Sequence, residues 1–136
     1  MEITVTERQA NVPVTIMHLQ GELDASSYLD VIARAQELYA GGTRYLLLDL
    51  SELSFMASSG LVAIHSTALI MKGDEPPDPE YGWSAFHAMD KEVGGGFVKN
   101  CKILNPQPKV SRTLEVTGFN TFLEIFTDLE TALESF

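Results

Sequence analysis

Residues 45–71 read YLLLDLSELSFMASSGLVAIHSTALIM and contain the clearest secondary-structure signals in the chain. Residues 45–50 are almost continuously apolar, which is typical of a strand covered on both faces of a parallel or mixed sheet. We therefore predict a central strand there, followed by a loop from Ser51 to Met56. After Ser58, apolar residues recur at steps of three and four, which predicts a helix with one buried face at Leu61, Ile64, Ala68 and Met71.

The residues before this stretch predict two strands and a helix. Apolar and polar residues alternate over 3–6 and again over 13–19, as expected for two antiparallel strands. A turn over 21–27 precedes apolar positions with helical spacing. We predict that this first helix ends at Gly41-Gly42, where glycine favours termination.

After the predicted central strand and the helix that follows it, the alternation of strands and helices is interrupted and then resumes. Residues 72–96 are rich in proline at one end and glycine at the other, which predicts an insertion with a short amphipathic helix over 83–93. The chain then predicts a strand at 101–104, a helix at 109–116, a strand at 121–126 and a helix at 129–136.

The predicted element order is β-β-α-β-α-β-α-β-α. Strands that alternate with helices indicate right-handed crossovers and a mostly parallel sheet with helices packed on it. We therefore predict an α/β fold with a mixed, mostly parallel sheet. The chain of 136 residues has the usual size of one domain, so we predict a single domain over 1–136 that carries the insertion.

Composition and charge exclude several classes of function. The formal net charge of -10 argues against binding to a nucleic-acid backbone, which needs a basic surface. The sequence has neither a basic leader nor a membrane-length apolar run, which predicts a cytoplasmic protein with no membrane partner. It leaves self-association open.

We also predict no metal, no cofactor and no catalysis. Cys101 is the only cysteine, and His18, His65 and His87 lack the paired spacing of metal ligands. The serines at 58 and 59 are not part of a Gly-x-Ser-x-Gly nucleophile turn.

Three segments together resemble one family. Residues 49–61 (DLSELSFMASSGL) are similar to the phosphorylation loop of STAS domains, the sulphate-transporter and anti-sigma-factor-antagonist family, and especially of bacterial anti-anti-sigma factors. Residues 21–24 (GELD) resemble a second characteristic segment upstream. Residues 116–119 (VTGF) resemble a third, in which a helix ends at glycine.

The resemblance implies a partner-switching protein. Such a protein binds an anti-sigma factor that is also a serine kinase, loses that binding when a loop serine is phosphorylated, and is reset by a metal-dependent serine phosphatase. By position, Ser58 matches the phosphoacceptor and Asp24 matches a position near the partner surface. The predicted partner-binding residues are Asp24, Ser58, Ser59, Gly60 and Leu61.

Physical chemistry supports a modification site at Ser58, which we predict to be the N-cap of the second helix. The free N–H groups and the positive dipole at a helix start stabilise an added phosphate. One residue departs from the family pattern, because Ala57 stands where an aspartate usually precedes the phosphoserine. The alternative is a STAS scaffold or adaptor in a bacterial signalling assembly that is not phosphorylated.

Overall fold

A single mixed sheet forms the centre of the protein. The computed structural model describes residues 1–73 and 97–136; the predicted insertion helix at 83–93 and His87 lie outside the described residues. Within these described ranges five strands are adjacent in chain order, and they are β1 (Glu2–Gln9), β2 (Pro13–Leu23), β3 (Leu46–Met56), β4 (Cys101–Leu104) and β5 (Ile125–Phe126). Strand β1 runs antiparallel to β2, and the other neighbouring pairs are parallel.

Helices connect the parallel strands and cover the sheet. The described helices are α1 (Tyr28–Ala40), α2 (Ser58–Lys72), α3 (Pro108–Val116) and α4 (Leu129–Glu134), with a 3-10 turn at Phe119–Thr121 before β5. This order confirms the predicted α/β fold with a mostly parallel sheet.

The two faces of the sheet have different coverings. The larger apolar core lies on the face that carries α1 and α2, and α2 is buried continuously from Gly60 to Met71. The opposite face has a smaller core, in which Ala132 and Leu133 of α4 pack on four strand residues, Val14, Ile16, Leu47 and Leu104. The short helix α4 does not reach the whole of this second face, and the described residues leave a groove there beside β1.

The predicted loop from Ser51 to Met56 is wrong, because β3 continues through these residues. Leu53 and Met56 are buried, and the extension pairs with a longer β2 as far as Leu23 and Met56. Two register shifts in this pairing interrupt the alternation of buried and exposed residues, so the sequence does not show this part of β3 as a strand. Gly21 belongs to the extended β2 instead of a turn, and it adopts a left-handed φ of 109°.

The last predicted strand is also too long. Of residues 121–126, only Ile125 and Phe126 pair with β4. Phe122 and Leu123 are instead buried next to the 3-10 turn, where Phe119 contacts Phe122 with ring centroids 5.0 Å apart. Burial in the core, rather than strand pairing, explains the apolar residues in this segment.

Candidate functional site

The ends of β2 and β3 bring two separate sequence segments together. Leu23 and Met56 form the last pair between these parallel strands, so the turn at Asp24 and the start of α2 follow at the same edge of the sheet. The Ala57 N–H donates to the Leu23 carbonyl over 2.9 Å, and the Ser54 hydroxyl donates to the Gly21 carbonyl over 3.0 Å. The carboxyl edge of parallel strands is where α/β folds most often present their binding residues.

Ser58 lies at the exposed start of α2, but it is not the N-cap. Ala57 holds that position with extended dihedral angles, and its carbonyl accepts from Gly60 N over 2.9 Å and from Leu61 N over 3.3 Å. The predicted capping role of Ser58 is therefore wrong: the bond from Ala57 to Leu23 sets the entry into the helix one residue earlier. Ser58 is an exposed residue, and no side chain caps this helix start.

The first turn of α2 is electrostatically suited to an anion. The Ser58 and Ser59 N–H groups, at the first two helical positions, have no acceptor within the helix. This turn contains no acidic residue, so nothing in it opposes the positive end of the helix dipole. A phosphate on the exposed Ser58 can therefore be accommodated without unwinding the helix.

Asp24 is fixed as a carboxylate by the turn that follows it. Its Oδ1 accepts from the Ser26 hydroxyl over 2.6 Å and from the Ser26 N–H over 2.9 Å. These two hydrogen bonds hold the pKa of Asp24 below its ordinary value. The buried Ser27 hydroxyl donates to the Glu22 carbonyl and accepts from the Asp24 N–H, which closes the turn. The site therefore presents a negative charge in a set position.

Gly60 and Leu61 face the interior rather than the surface. Leu61 is 2% exposed and belongs to the larger core. A Cβ added at Gly60 would lie 2.7 Å from Met56 Cγ and 3.0 Å from the Leu23 carbonyl oxygen, so only glycine fits this close approach. The predicted surface therefore consists of Asp24, Ser58 and the half-buried Ser59, and the other two residues seat α2 against β2.

Sequence reasoning missed two exposed apolar side chains close to this edge. Phe55, three residues before Ser58, is 46% exposed, and Leu29, at the start of α1, is 55% exposed. The exposure of Phe55 could not be predicted from the sequence, because the register shifts disturb the alternation of buried and exposed residues in β3. Exposed large apolar residues near a charged turn are typical of protein contact surfaces.

Two further findings concern the parts of the chain that the structure describes. No group of three or more His, Cys, Asp or Glu side chains there could hold a metal ion. No described helix has both the length and the apolar character needed to cross a membrane.

The molecule is thus an α/β domain whose described residues form a mixed sheet of five strands, with an exposed serine at the start of α2 and a fixed carboxylate at the same edge of the sheet. The chain belongs to the STAS domain family, whose model matches residues 4–71. No curated protein matches the chain.

Solved structures share this fold over nearly their whole length. A candidate anti-sigma factor antagonist from Thermotoga maritima is 18% identical, with 96% of this chain and 92% of that chain covered and a TM-score of 0.68. An anti-sigma factor antagonist from Mycobacterium paratuberculosis is 18% identical, with 97% and 92% covered and a TM-score of 0.61. The Bacillus cell fate determinant SpoIIAA, in its phosphorylated form, is 17% identical, with 95% and 96% covered and a TM-score of 0.51. At these identities the similarity concerns the fold.

Proposed function

We propose that this protein is an anti-sigma factor antagonist that acts in the cytoplasm. It binds a kinase-type anti-sigma factor through the surface formed by Asp24, Ser58 and Ser59, and it has no turnover of its own. Phosphorylation of Ser58 by that kinase ends the binding, and a metal-dependent serine phosphatase restores it.

The observation that carries the proposal is the position of Ser58. Its hydroxyl is exposed at the positive start of α2, beside the turn that holds Asp24, and the bond from Ala57 N to Leu23 O joins the two segments. A serine that is free of capping bonds can enter a kinase active site without loss of a structural contact. Membership of the STAS family and the fold shared with anti-sigma factor antagonists agree with this role.

Release of the partner follows from charge. A phosphate adds about two negative charges at pH 7. The protein already has a net charge of -10, and the carboxylate of Asp24 belongs to the same surface. Like charges that meet at an interface raise the free energy of the complex. The phosphate itself stays stabilised by the helix start, so phosphorylation acts on binding rather than on folding.

A second candidate function rests on Ala57. An acidic side chain before the phosphoacceptor could orient the hydroxyl or the partner, and Ala57 cannot do this. The alternative is therefore a STAS scaffold or adaptor in a bacterial signalling assembly, which uses the same surface without phosphorylation.

Incubation with the cognate kinase-type anti-sigma factor and ATP, followed by intact-mass measurement, tests the proposal. We expect one added phosphate on the wild type and none on Ser58→Ala. Ser59→Ala is the matched control, because it removes a hydroxyl from the same helical turn but not the proposed phosphoacceptor, so one added phosphate is still expected even where binding is weaker. Measurable binding without added phosphate on any of the three proteins would favour the scaffold. The absence of both binding and added phosphate would contradict both functions.

A further inference from the structure

A groove lies on the part of the sheet that α4 does not cover. Its volume is about 320 Å³, and side chains of β1, β2 and β3 line it, including Thr4, Thr6, His18, Gln20 and Asp49. It lies on the face of the sheet opposite to α2, because His18 and Asp49 share the strand face of Ile16 and Leu47. Nothing proposed above uses these side chains.

Three of the lining residues form a continuous hydrogen-bonded line. The distance from Asp49 Oδ2 to His18 Nδ1 is 2.7 Å, and the distance from His18 Nε2 to Thr6 Oγ1 is 2.9 Å. Strand pairing sets this line: His18 lies opposite Asp49 in the parallel pair and opposite Thr4 in the antiparallel pair, so Thr6 is its diagonal neighbour.

The carboxylate determines the direction of the proton donors. Partial burial alone would raise the pKa of Asp49, but hydrogen bonds from Ser51 and His18 outweigh it and hold the pKa below the ordinary value. An ionised carboxylate only accepts hydrogen bonds, so in the neutral imidazole His18 Nδ1 carries the proton. Nε2 is then an acceptor, and the Thr6 hydroxyl donates to it.

Asp49 is itself held in place. Its Oδ1 accepts from the Ser51 N–H over 3.0 Å, and the Ser51 carbonyl accepts from Gln107 Nε2 over 2.9 Å. The side chain of Asp49 is 16% exposed, whereas that of His18 is 35% exposed and Thr6 is exposed. The orienting end of the line is thus the more buried one, and its hydroxyl end is open to an incoming molecule.

We propose that Thr6 is an activated nucleophile that takes one acyl group from an activated ester. Carboxylate, imidazole and hydroxyl in this order are the arrangement in which a histidine removes the proton of an attacking hydroxyl. Thr6 Oγ1 forms a bond to the acyl carbon, and its proton passes to His18 Nε2. The bond from the acyl carbon to the leaving oxygen breaks, and that oxygen departs with the electron pair and takes the proton from His18. Asp49 is a positioning residue.

Thr4 provides an internal control for this proposal. It is an exposed threonine on the same face of β1 and lines the same groove, but no described side chain hydrogen-bonds to its hydroxyl. Any difference in acylation between Thr4 and Thr6 therefore reports the imidazole rather than exposure or residue type.

The experiment is incubation of the full chain with p-nitrophenyl acetate, followed by peptide mass mapping over time. General-base assistance is typically worth about 10²–10⁴-fold. Because this groove is open to water, we expect acetylation of Thr6 at least about tenfold faster than that of Thr4. His18→Gln and Asp49→Asn should each remove most of this advantage, and Thr6→Val should remove the fast label and leave only the slow label on Thr4. Circular dichroism of each variant checks that the fold is retained.

Three results would overturn the proposal. The first is equal acetylation of Thr6 and Thr4 in the wild type. The second is an advantage of Thr6 that survives in a folded His18→Gln variant, because the imidazole would then play no part. The third is a label found on His18 that persists in Thr6→Val, because the imidazole would then be the nucleophile.

Discussion

Replacement of Gly60 by alanine tests how closely the first turn of α2 is seated on β2. The added Cβ would lie 2.7 Å from Met56 Cγ, 3.0 Å from Leu23 Cγ and 3.0 Å from the Leu23 carbonyl oxygen. The Met56 side chain can turn away, but the Leu23 carbonyl belongs to β2 and cannot. The helix start must therefore move away from the strand, which strains the hydrogen bond from Ala57 to Leu23.

Two opposing effects set the size of the change. Overpacking of a close contact typically costs about 1–3 kcal/mol, whereas alanine is better than glycine inside a helix by about 0.5–1 kcal/mol. We therefore expect Gly60→Ala to lower the free energy of unfolding by about 0.5–2 kcal/mol. Urea denaturation measures this change, and each 1 kcal/mol lowers the midpoint by roughly 0.3–1 M.

Gly41→Ala is the matched control. Gly41 has a φ of -82°, and an added Cβ would meet its nearest atom, the Glu37 carbonyl oxygen, at an ordinary 3.4 Å. We expect its free energy of unfolding to stay within about 0.5 kcal/mol of the wild type. A Gly60→Ala variant as stable as Gly41→Ala, or more stable than the wild type, would refute the close seating of α2.

Three further predictions concern buried polar side chains. Burial raises the pKa of Cys101 to about 12, so a thiol reagent at pH 8 should label this residue only in denaturant. Rapid labelling of the native protein would contradict the burial of Cys101. Burial lowers the pKa of His65 from 6.5 to about 4, so the unfolded chain binds its proton first. As the pH falls from 6.5 to about 4, the free energy of unfolding should therefore decrease, by at most about 1.4 kcal/mol per pH unit from this residue. The His65→Gln variant should not show this contribution to the decrease. Lys102 donates to the Ser135 carbonyl and hydroxyl over 3.0 Å each. Lys102→Met should therefore loosen α4, lower the free energy of unfolding by about 1–3 kcal/mol and speed proteolysis at the C-terminus. Unchanged proteolysis would count against this contact.

The order of the elements could be predicted from the sequence, but the ends of two strands could not. The apolar run at 45–50 indicates a central strand by itself, because burial on both faces removes polar positions. Its continuation to Met56 depends on pairing with β2 across two register shifts. A register shift follows from contacts between distant segments and leaves no periodic signal in either one.

The main residues of the candidate site could be predicted from the sequence, but their local contacts could not. Family resemblance indicated Asp24 and Ser58, and the local sequence also supported Ser58; the structure brings both residues to one edge of the sheet. The identity of the N-cap was not predictable, because the bond from Ala57 to Leu23 joins residues that are far apart in the chain. The line of Thr6, His18 and Asp49 was missed for the same reason, since only the strand register aligns these residues.

Charge at Ser58 is proposed to control binding to a kinase-type anti-sigma factor. Calorimetric titration of that partner with the wild type, Ser58→Asp and Ser58→Ala tests it most directly. We expect Ser58→Ala to bind like the wild type and Ser58→Asp to bind at least a few-fold more weakly, because like-charge contact and desolvation at an interface cost on the order of 1–3 kcal/mol. Equal affinity of all three proteins for the partner would contradict the claim.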